Sequence, residues 1–223
     1  MTARIFLLSP AHCGGERAQL VLRDRAQFDL ARRLRTREGA PLGDVFSFMS
    51  GLYFRGKLAY ARCFARSMAG LGGVMVITPC QGLQSPDARV GRAVLRRYAR
   101  VDIDPDDARY RRPLLRDAEA LADRLKDAPA WEVVLLGSVA SGKYVEPLTE
   151  VFGERLVFPT DFVGRGDMSR GGLLLRCVTE GRELPYAALL NASRHGARPA
   201  RLAPQRGILA RTESWVRSGA KSP

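Results

Sequence analysis

Residues 131–148 read WEVVLLGSVASGKYVEPL, an apolar run, a glycine-bounded loop and a more polar tail. Gly137–Tyr144, GSVASGKY, fits every place but the last of the phosphate-cradling pattern G-x-x-x-x-G-K-[ST]. In a working phosphate loop the Gly-Lys-Ser/Thr opens a helix whose backbone N–H groups hold phosphate, and the hydroxyl holds Mg²⁺. Tyr144 stands where that hydroxyl belongs. Pro147 has no N–H for the carbonyl of Lys143, so the helix is expected to start near Glu146 and Pro147, with proline at its first position. Nucleotide hydrolysis is therefore disfavoured. WEVVLLG reads as a buried strand whose loop meets some other ligand.

Outward from this strand the same alternation recurs. ARIFLLSP (3–10), GGVMVITP (72–79) and RLVFP (155–159) read as further buried strands. Helical spacing of apolar residues covers 15–37, with EGAPLGD (38–44) closing it, and SGLYFRGKLAYARCFARSMAG (50–70). DAEALADRLKDA (117–128) is a further helix, and VGRAVLRRYAR (90–100) and VEPLTEVFG (145–153) read as shorter ones. Strands alternating with helices imply an α/β fold: a single layered domain, 1–193, with a central, mostly parallel sheet flanked by helices. Residues 194–223 shift to Arg, Pro, Ala and Ser and read as a basic C-terminal extension.

The charge narrows the partners. Lys+Arg number 36 against Asp+Glu 23, a net charge of +13, and the lysines are only Lys57, Lys126, Lys143 and Lys221. Arginine forks suit bidentate phosphate contacts, so a nucleic acid, double-stranded DNA in the first instance, is the expected partner. The longest apolar runs, VMVI and VVLL, are far shorter than the ~20 residues of a membrane span, and the N-terminus lacks a signal-peptide pattern. A cytoplasmic protein without a membrane partner is expected. Cys13, Cys63, Cys80 and Cys177 have no C-x-x-C spacing and read as reduced thiols. DIDPDD (102–107) reads as an acidic turn, since it lacks the glycine and distal glutamate of a calcium loop. Neither a metal nor another cofactor is expected.

In such a layered fold the strand C-termini carry the ligand loops, here SPAHCGG, TPCQGLQSPD, GSVASGKY and PTDFVGRGDMSRGG. His12 beside Cys13 suggests a nucleophile pair, but neighbours on an extended chain point to opposite faces. In the last loop Asp161 and Asp167, flanked by Phe162, Arg165 and Arg170, suit carboxylate chemistry with phosphate held nearby. The competing reading is a glycine-rich turn whose aspartates bond local backbone. Tyr53 and Phe54, at a helix start among Arg55, Lys57 and Arg62, are either core or a stacking platform for a base.

Taken in order, LLSPAH, GLYFRGKLAYA, VMVITPCQGLQSPD and VVLLGSVASGKYVEPL resemble the peroxide-stress YaaA family and the related small domains associated with archaeal tRNA-guanine transglycosylases. Ser9-Pro10-Ala11, Gly82-Leu83 with Pro86-Asp87, and Ala140-Ser141 with Tyr144 carry the match over about residues 3–160. The phosphate-loop look-alike is then an Ala-Ser-x-x-Tyr turn. The resemblance implies a uracil-DNA-glycosylase-like α/β fold and an association with DNA or tRNA. The Gly-Gln-Asp-Pro and His-Pro-Ser motifs of true uracil glycosylases are absent, so a uracil-directed enzyme is disfavoured.

The expectation is a DNA N-glycosylase that flips out a modified or damaged base and leaves an abasic site. Its oxocarbenium-like sugar needs a carboxylate, and the departing base needs donors. Asp161, Asp167 and, in reserve, Asp87 are the candidate catalytic carboxylates. Ser9, His12, Tyr53, Phe54, Gln81, Ser141 and Tyr144 are the candidate base contacts. Lys57, Lys143, Arg165 and Arg170 are the candidate phosphate contacts. The alternatives are a non-catalytic DNA- or RNA-binding stress protein of YaaA type and an enzyme of free nucleosides or nucleotides.

Overall fold

The computed structural model describes residues 2–68, 70–190, 192–200 and 202. Its centre is a six-stranded sheet whose buried strands come from the apolar runs. Strand β1 (Ala3–Leu8) lies between β3 (Val74–Ile77) and β6 (Trp131–Leu136), and β6 pairs with β7 (Leu156–Pro159), all in parallel. Two short antiparallel strands, β4 (Leu83–Gln84) and β8 (Tyr186–Ala188), close the edges, giving the order β4-β3-β1-β6-β7-β8. A separate antiparallel pair joins β2 (Ala40–Pro41) to β5 (Arg89–Val90). The chain is thus α/β, with a mostly parallel sheet flanked by helices.

Side chains alternate between the two faces of a strand. Phe6, Leu8, Val134 and Leu136 enter one apolar core, and Ile5, Leu7, Val133 and Leu135 enter the other. All eight are fully buried. Full burial of such a side chain is worth roughly 1.5–3 kcal/mol, so a one-residue slip of β1 against β6 would exchange both faces at heavy cost.

Against the first face pack α3 (Leu42–Ser50), α4 (Leu52–Phe64), α8 (Asp167–Glu180) and the short α1 (Glu16–Leu22), α2 (Asp29–Arg33) and α5 (Arg92–Tyr98). Against the second pack α6 (Ala108–Leu125) and α7 (Gly142–Phe152).

Several helices depart from the expected spans. The segment 15–37 is two helices, because Arg92 of α5 donates to the Leu22 carbonyl at 2.8 Å and ion-pairs with Asp24, fixing the chain where α1 ends. The turn expected over 38–44 already contains the start of α3. Gly51, at φ +61°, separates α3 from α4, so the helix expected over 50–70 begins after it. That helix also stops at Phe64, because Arg66 forms an extended bridge with Arg4 of β1. Helix α6 starts nine residues before position 117, with the Asp107 carboxylate capping the Arg109 N–H at 2.8 Å. Asp104 accepts from the Asp106 N–H at 3.0 Å, so DIDPDD is a self-bonded turn leading to a helix cap.

The main correction concerns α7. It starts at Gly142, not near Pro147, and runs through the proline. Pro147 does leave the Lys143 carbonyl without its intrahelical donor. The Tyr110 hydroxyl of α6 donates to that carbonyl at 2.9 Å instead. GSVASGKY is therefore a strand-loop-helix connection after all, although Tyr144 still occupies the place of the Mg²⁺-binding hydroxyl. GRGDMSRGG is likewise not a loop throughout, since Asp167 opens the 14-residue helix α8.

Of the basic extension, residues 194–200 and 202 are described, without regular secondary structure, and the remainder lies outside the described residues. Among the described residues no helix is long and apolar enough to cross a membrane.

Candidate functional site

From β1 the chain passes to β3 on one side of the sheet, then crosses to β6 on the other. Such a reversal opens a crevice beyond the carboxyl ends of the two strands. A cavity of about 290 Å³ lies there, lined by Ser9, Pro10, Ala11 and His12 after β1 and by Ser138, Lys143 and Tyr144 after β6. Ser50 of α3, Tyr53 and Lys57 of α4, Ile103 and Asp167 complete the lining.

The close approach of α4 and α8 brings Asp167 to this place. A Cβ on Gly56 would sit 2.7 Å from the Gly171 carbonyl oxygen, and one on Gly171 would sit 2.8 Å from the Leu52 carbonyl oxygen. Only glycines let the two backbones touch in this way. Asp167, one turn before Gly171, is then carried to the cavity beside Tyr53 and Lys57. As the first residue of α8 it also lies where a helix favours negative charge.

Lys57 is 1% exposed, yet it is part of the cavity lining. Its Nζ donates to the Ser9 carbonyl at 2.6 Å and to Ser9 Oγ at 2.7 Å. It lies 4.5 Å from the ring centroid of Tyr53 and 5.0 Å from that of Phe54. Among the described residues no carboxylate is within ion-pair distance of it. Burial draws its pKa down to about 7, Asp167 opposing this and the Arg170 charge adding to it. A lysine sited like this is poised between amine and ammonium at neutral pH.

Two tyrosines line the same cavity. Tyr53 is 5% exposed, and its hydroxyl is buried without a hydrogen-bond partner among the described residues. Tyr144 is as deeply buried, with the Lys143 ammonium 5.4 Å from its ring centroid. Burial pushes both phenols up, so both stay protonated at neutral pH. The His12 ring folds back over the loop, since Cβ atoms on Gly14 and Gly15 would come within 3.3 and 3.2 Å of it.

Of the carboxylates expected to do chemistry, Asp167 lines the cavity. Asp87 is on the surface, paired with Arg62 at 2.6 Å, and Asp161 lies in the turn after β7, where its carbonyl accepts from Arg165 Nε at 2.9 Å. Of the expected base contacts, Ser9, His12, Tyr53 and Tyr144 line the cavity. Phe54 does not: it is fully buried, edge-on to Phe46 at 5.4 Å. Ser141 is exposed at the N-cap of α7 and outside the lining. Gln81 accepts from the Tyr98 hydroxyl at 2.7 Å and lines a second groove of about 640 Å³, together with Cys80, Arg97, Arg109 and Arg116.

Of the expected phosphate contacts, Lys143 is at the cavity. Lys57 lines the cavity, but its Nζ is bonded to Ser9 and the side chain is 1% exposed, so it is no surface phosphate contact. Arg170 is buried, donating to the Phe162 carbonyl at 3.2 and 3.0 Å and reaching Asp167 at 3.6 Å, so it positions the carboxylate. Arg165 holds Asp161 and Ser169. Cys13 is buried, with its thiol pushed up to about 12 by burial, so it makes no nucleophile pair with His12. Ser50, Ser138 and Ile103 were not expected. They carry no residue-type signal, and only the fold brings them in.

Among the described residues no group of three or more His, Cys, Asp and Glu is arranged to hold a metal ion. Comparison of the chain with family models, with curated proteins and with solved structures finds no match in any of the three.

Proposed function

We propose that the chain is an N-glycosylase of DNA, acting on a modified or damaged base through the cavity between β1 and β6. The observation that carries this reading is the Asp167 carboxylate facing a pocket with two protonated phenols, Tyr53 and Tyr144. Breaking an N-glycosyl bond leaves positive charge on the sugar and negative charge on the base. Asp167 supplies the compensating negative charge at the mouth, and phenolic O–H groups supply donors to the base. The volume, near the ~300 Å³ lower end of small-ligand sites, suits one extruded nucleotide rather than a large cofactor.

The net charge of +13 supports a polyanionic substrate, with Lys143 and His12 at the rim as the first phosphate contacts. The pocket lies at a chain reversal of a parallel sheet, the place where α/β folds in general bind ligands. The test is incubation with DNA bearing a panel of modified bases, hypermodified cytosines included, with mass spectrometry for free base. Free base and alkali-labile sites are expected. Intact DNA across the panel, bound with a steep salt dependence, identifies a binding protein instead, and turnover of free nucleosides alone identifies a nucleoside enzyme.

A further inference from the structure

Lys57 is an anomaly for a structural residue. A buried cation without a counter-ion costs stability, and an apolar side chain of the same length would fill its place between the rings of Tyr53 and Phe54. Its three substituent positions beyond Cε are distinguishable. Two point at Ser9, at the carbonyl and at Oγ. The third carries no hydrogen bond among the described residues, and Lys57 is part of the cavity lining beside Tyr53. In the neutral amine, two N–H groups satisfy the two Ser9 acceptors and the lone pair takes the third direction.

We propose that Lys57 is the nucleophile of this pocket, forming an imine with C1′ of the sugar. The inference rests on the glycosylase reading for its natural substrate, although the reactive geometry is a property of Lys57 and Ser9 alone. The neutral amine adds to C1′, and the N-glycosyl bond breaks with its electron pair leaving on the base. One proton passes from the new ammonium to the base, directly or through a tyrosine. The C1′–O4′ bond then opens as O4′ takes a proton from solvent, giving a protonated imine between Nζ and C1′. Water hydrolyses the imine, returning the amine and leaving the sugar as the open aldehyde of an abasic site. No oxidant, reductant or metal is consumed.

Ser9 is a positioning residue in this scheme. Its backbone carbonyl and hydroxyl fix the amine rotamer, and the following Pro10 holds that carbonyl in place. Burial supplies the rest, since an amine drawn down to about 7 has a lone pair at neutral pH that an exposed lysine lacks.

The experiment uses the full chain and an oligonucleotide carrying one abasic site, which presents the aldehyde without any base-release step. Sodium cyanoborohydride reduces an imine to a stable amine, and peptide mass spectrometry locates the cross-link. A cross-link mapping to Lys57 is expected, forming faster as pH rises through about 7. Lys57→Met should lose it, while Lys126→Met, on the exposed end of α6, should retain it. Ser9→Ala should slow trapping without abolishing it. No cross-link, or one mapping to Lys143 or to the N-terminus, overturns the proposal, and the mapping needs only wild-type protein. Base release is scored separately. Trapping at Lys57 without base release on any modified DNA would retain the nucleophile and remove the glycosylase reading. Base release by Lys57→Met would do the reverse.

Discussion

The Tyr110 hydroxyl of α6 donates to the Lys143 carbonyl of α7 at 2.9 Å, taking the place of the backbone N–H that Pro147 lacks. This bond ties α6 to the first turn of α7, which carries Lys143 and Tyr144 at the cavity. Tyr110→Phe leaves a part-buried carbonyl without its donor, at an expected cost of about 1 kcal/mol. Pro147→Ala restores the helical donor. In a double-mutant cycle by urea denaturation, Tyr110→Phe should therefore cost less in the Pro147→Ala background than in the wild type. Equal costs in both backgrounds would separate the two residues.

The contact between Gly56 and Gly171 makes a second prediction. A methyl at either position would lie under 3 Å from a backbone carbonyl of the facing helix. Gly56→Ala and Gly171→Ala should each destabilise by about 1–3 kcal/mol and displace Asp167 from Tyr53 and Lys57. Stability by denaturant melt and base release should fall together. Gly172→Ala, whose Cβ would meet nothing closer than Leu202 at 3.8 Å, should leave both near wild type.

Much of this was open to reading in the amino-acid order, and the omissions have physical causes. Strands β1, β3, β6 and β7 were legible because each is a short, almost wholly apolar run, the signature of a strand buried on both faces. Tyr53, Ser9, His12, Lys143, Tyr144 and Asp167, which the structure brings to one cavity, were open to being picked out as candidates because strand-end loops and a helix start are where ligands bind. The start of α7 was not, since the donor that rescues it comes from a tyrosine 33 residues earlier. Helix α8 was hidden because GRGDMSRGG is glycine-rich, and glycine costs a helix about 1 kcal/mol per residue. Gly171 is there for the contact with Leu52, a tertiary requirement that overrides local preference. The burial of Lys57 was likewise invisible, because it depends on α8 covering α4.

Lys57 couples stability to pH. Its ordinary value of 10.5 falls to about 7 in the fold, so between those values the unfolded chain binds a proton that the folded chain does not. Stability therefore rises with pH across this window, by up to about 1.4 kcal/mol per unit, and the contribution is lost as pH falls towards 7. Lys57→Met should be as stable as wild type or more so at pH 7, with the difference shrinking by pH 9. Urea melts at pH 6, 7.5 and 9 check both the sign and the window.

The unpartnered Tyr53 hydroxyl separates binding from stability. Tyr53→Phe removes a buried group that has no partner among the described residues, so the folded protein should gain up to about 2 kcal/mol. Affinity for the base-bearing substrate should fall if the hydroxyl meets the base, since Tyr53 lines the cavity. Thermal melting with and without a modified-base oligonucleotide reads both effects. A loss of stability in the free protein would assign the hydroxyl to the core.

The most direct measurement is base release by Asp167→Asn beside its DNA affinity. Asparagine keeps the shape of the side chain at the start of α8 and removes the negative charge that would face the sugar. The account predicts that free base falls by at least about a hundredfold, on the order of the 10²–10³ lost with one stabilising group, while DNA is bound as tightly as by wild type or slightly more so. Undiminished base release by Asp167→Asn would contradict it.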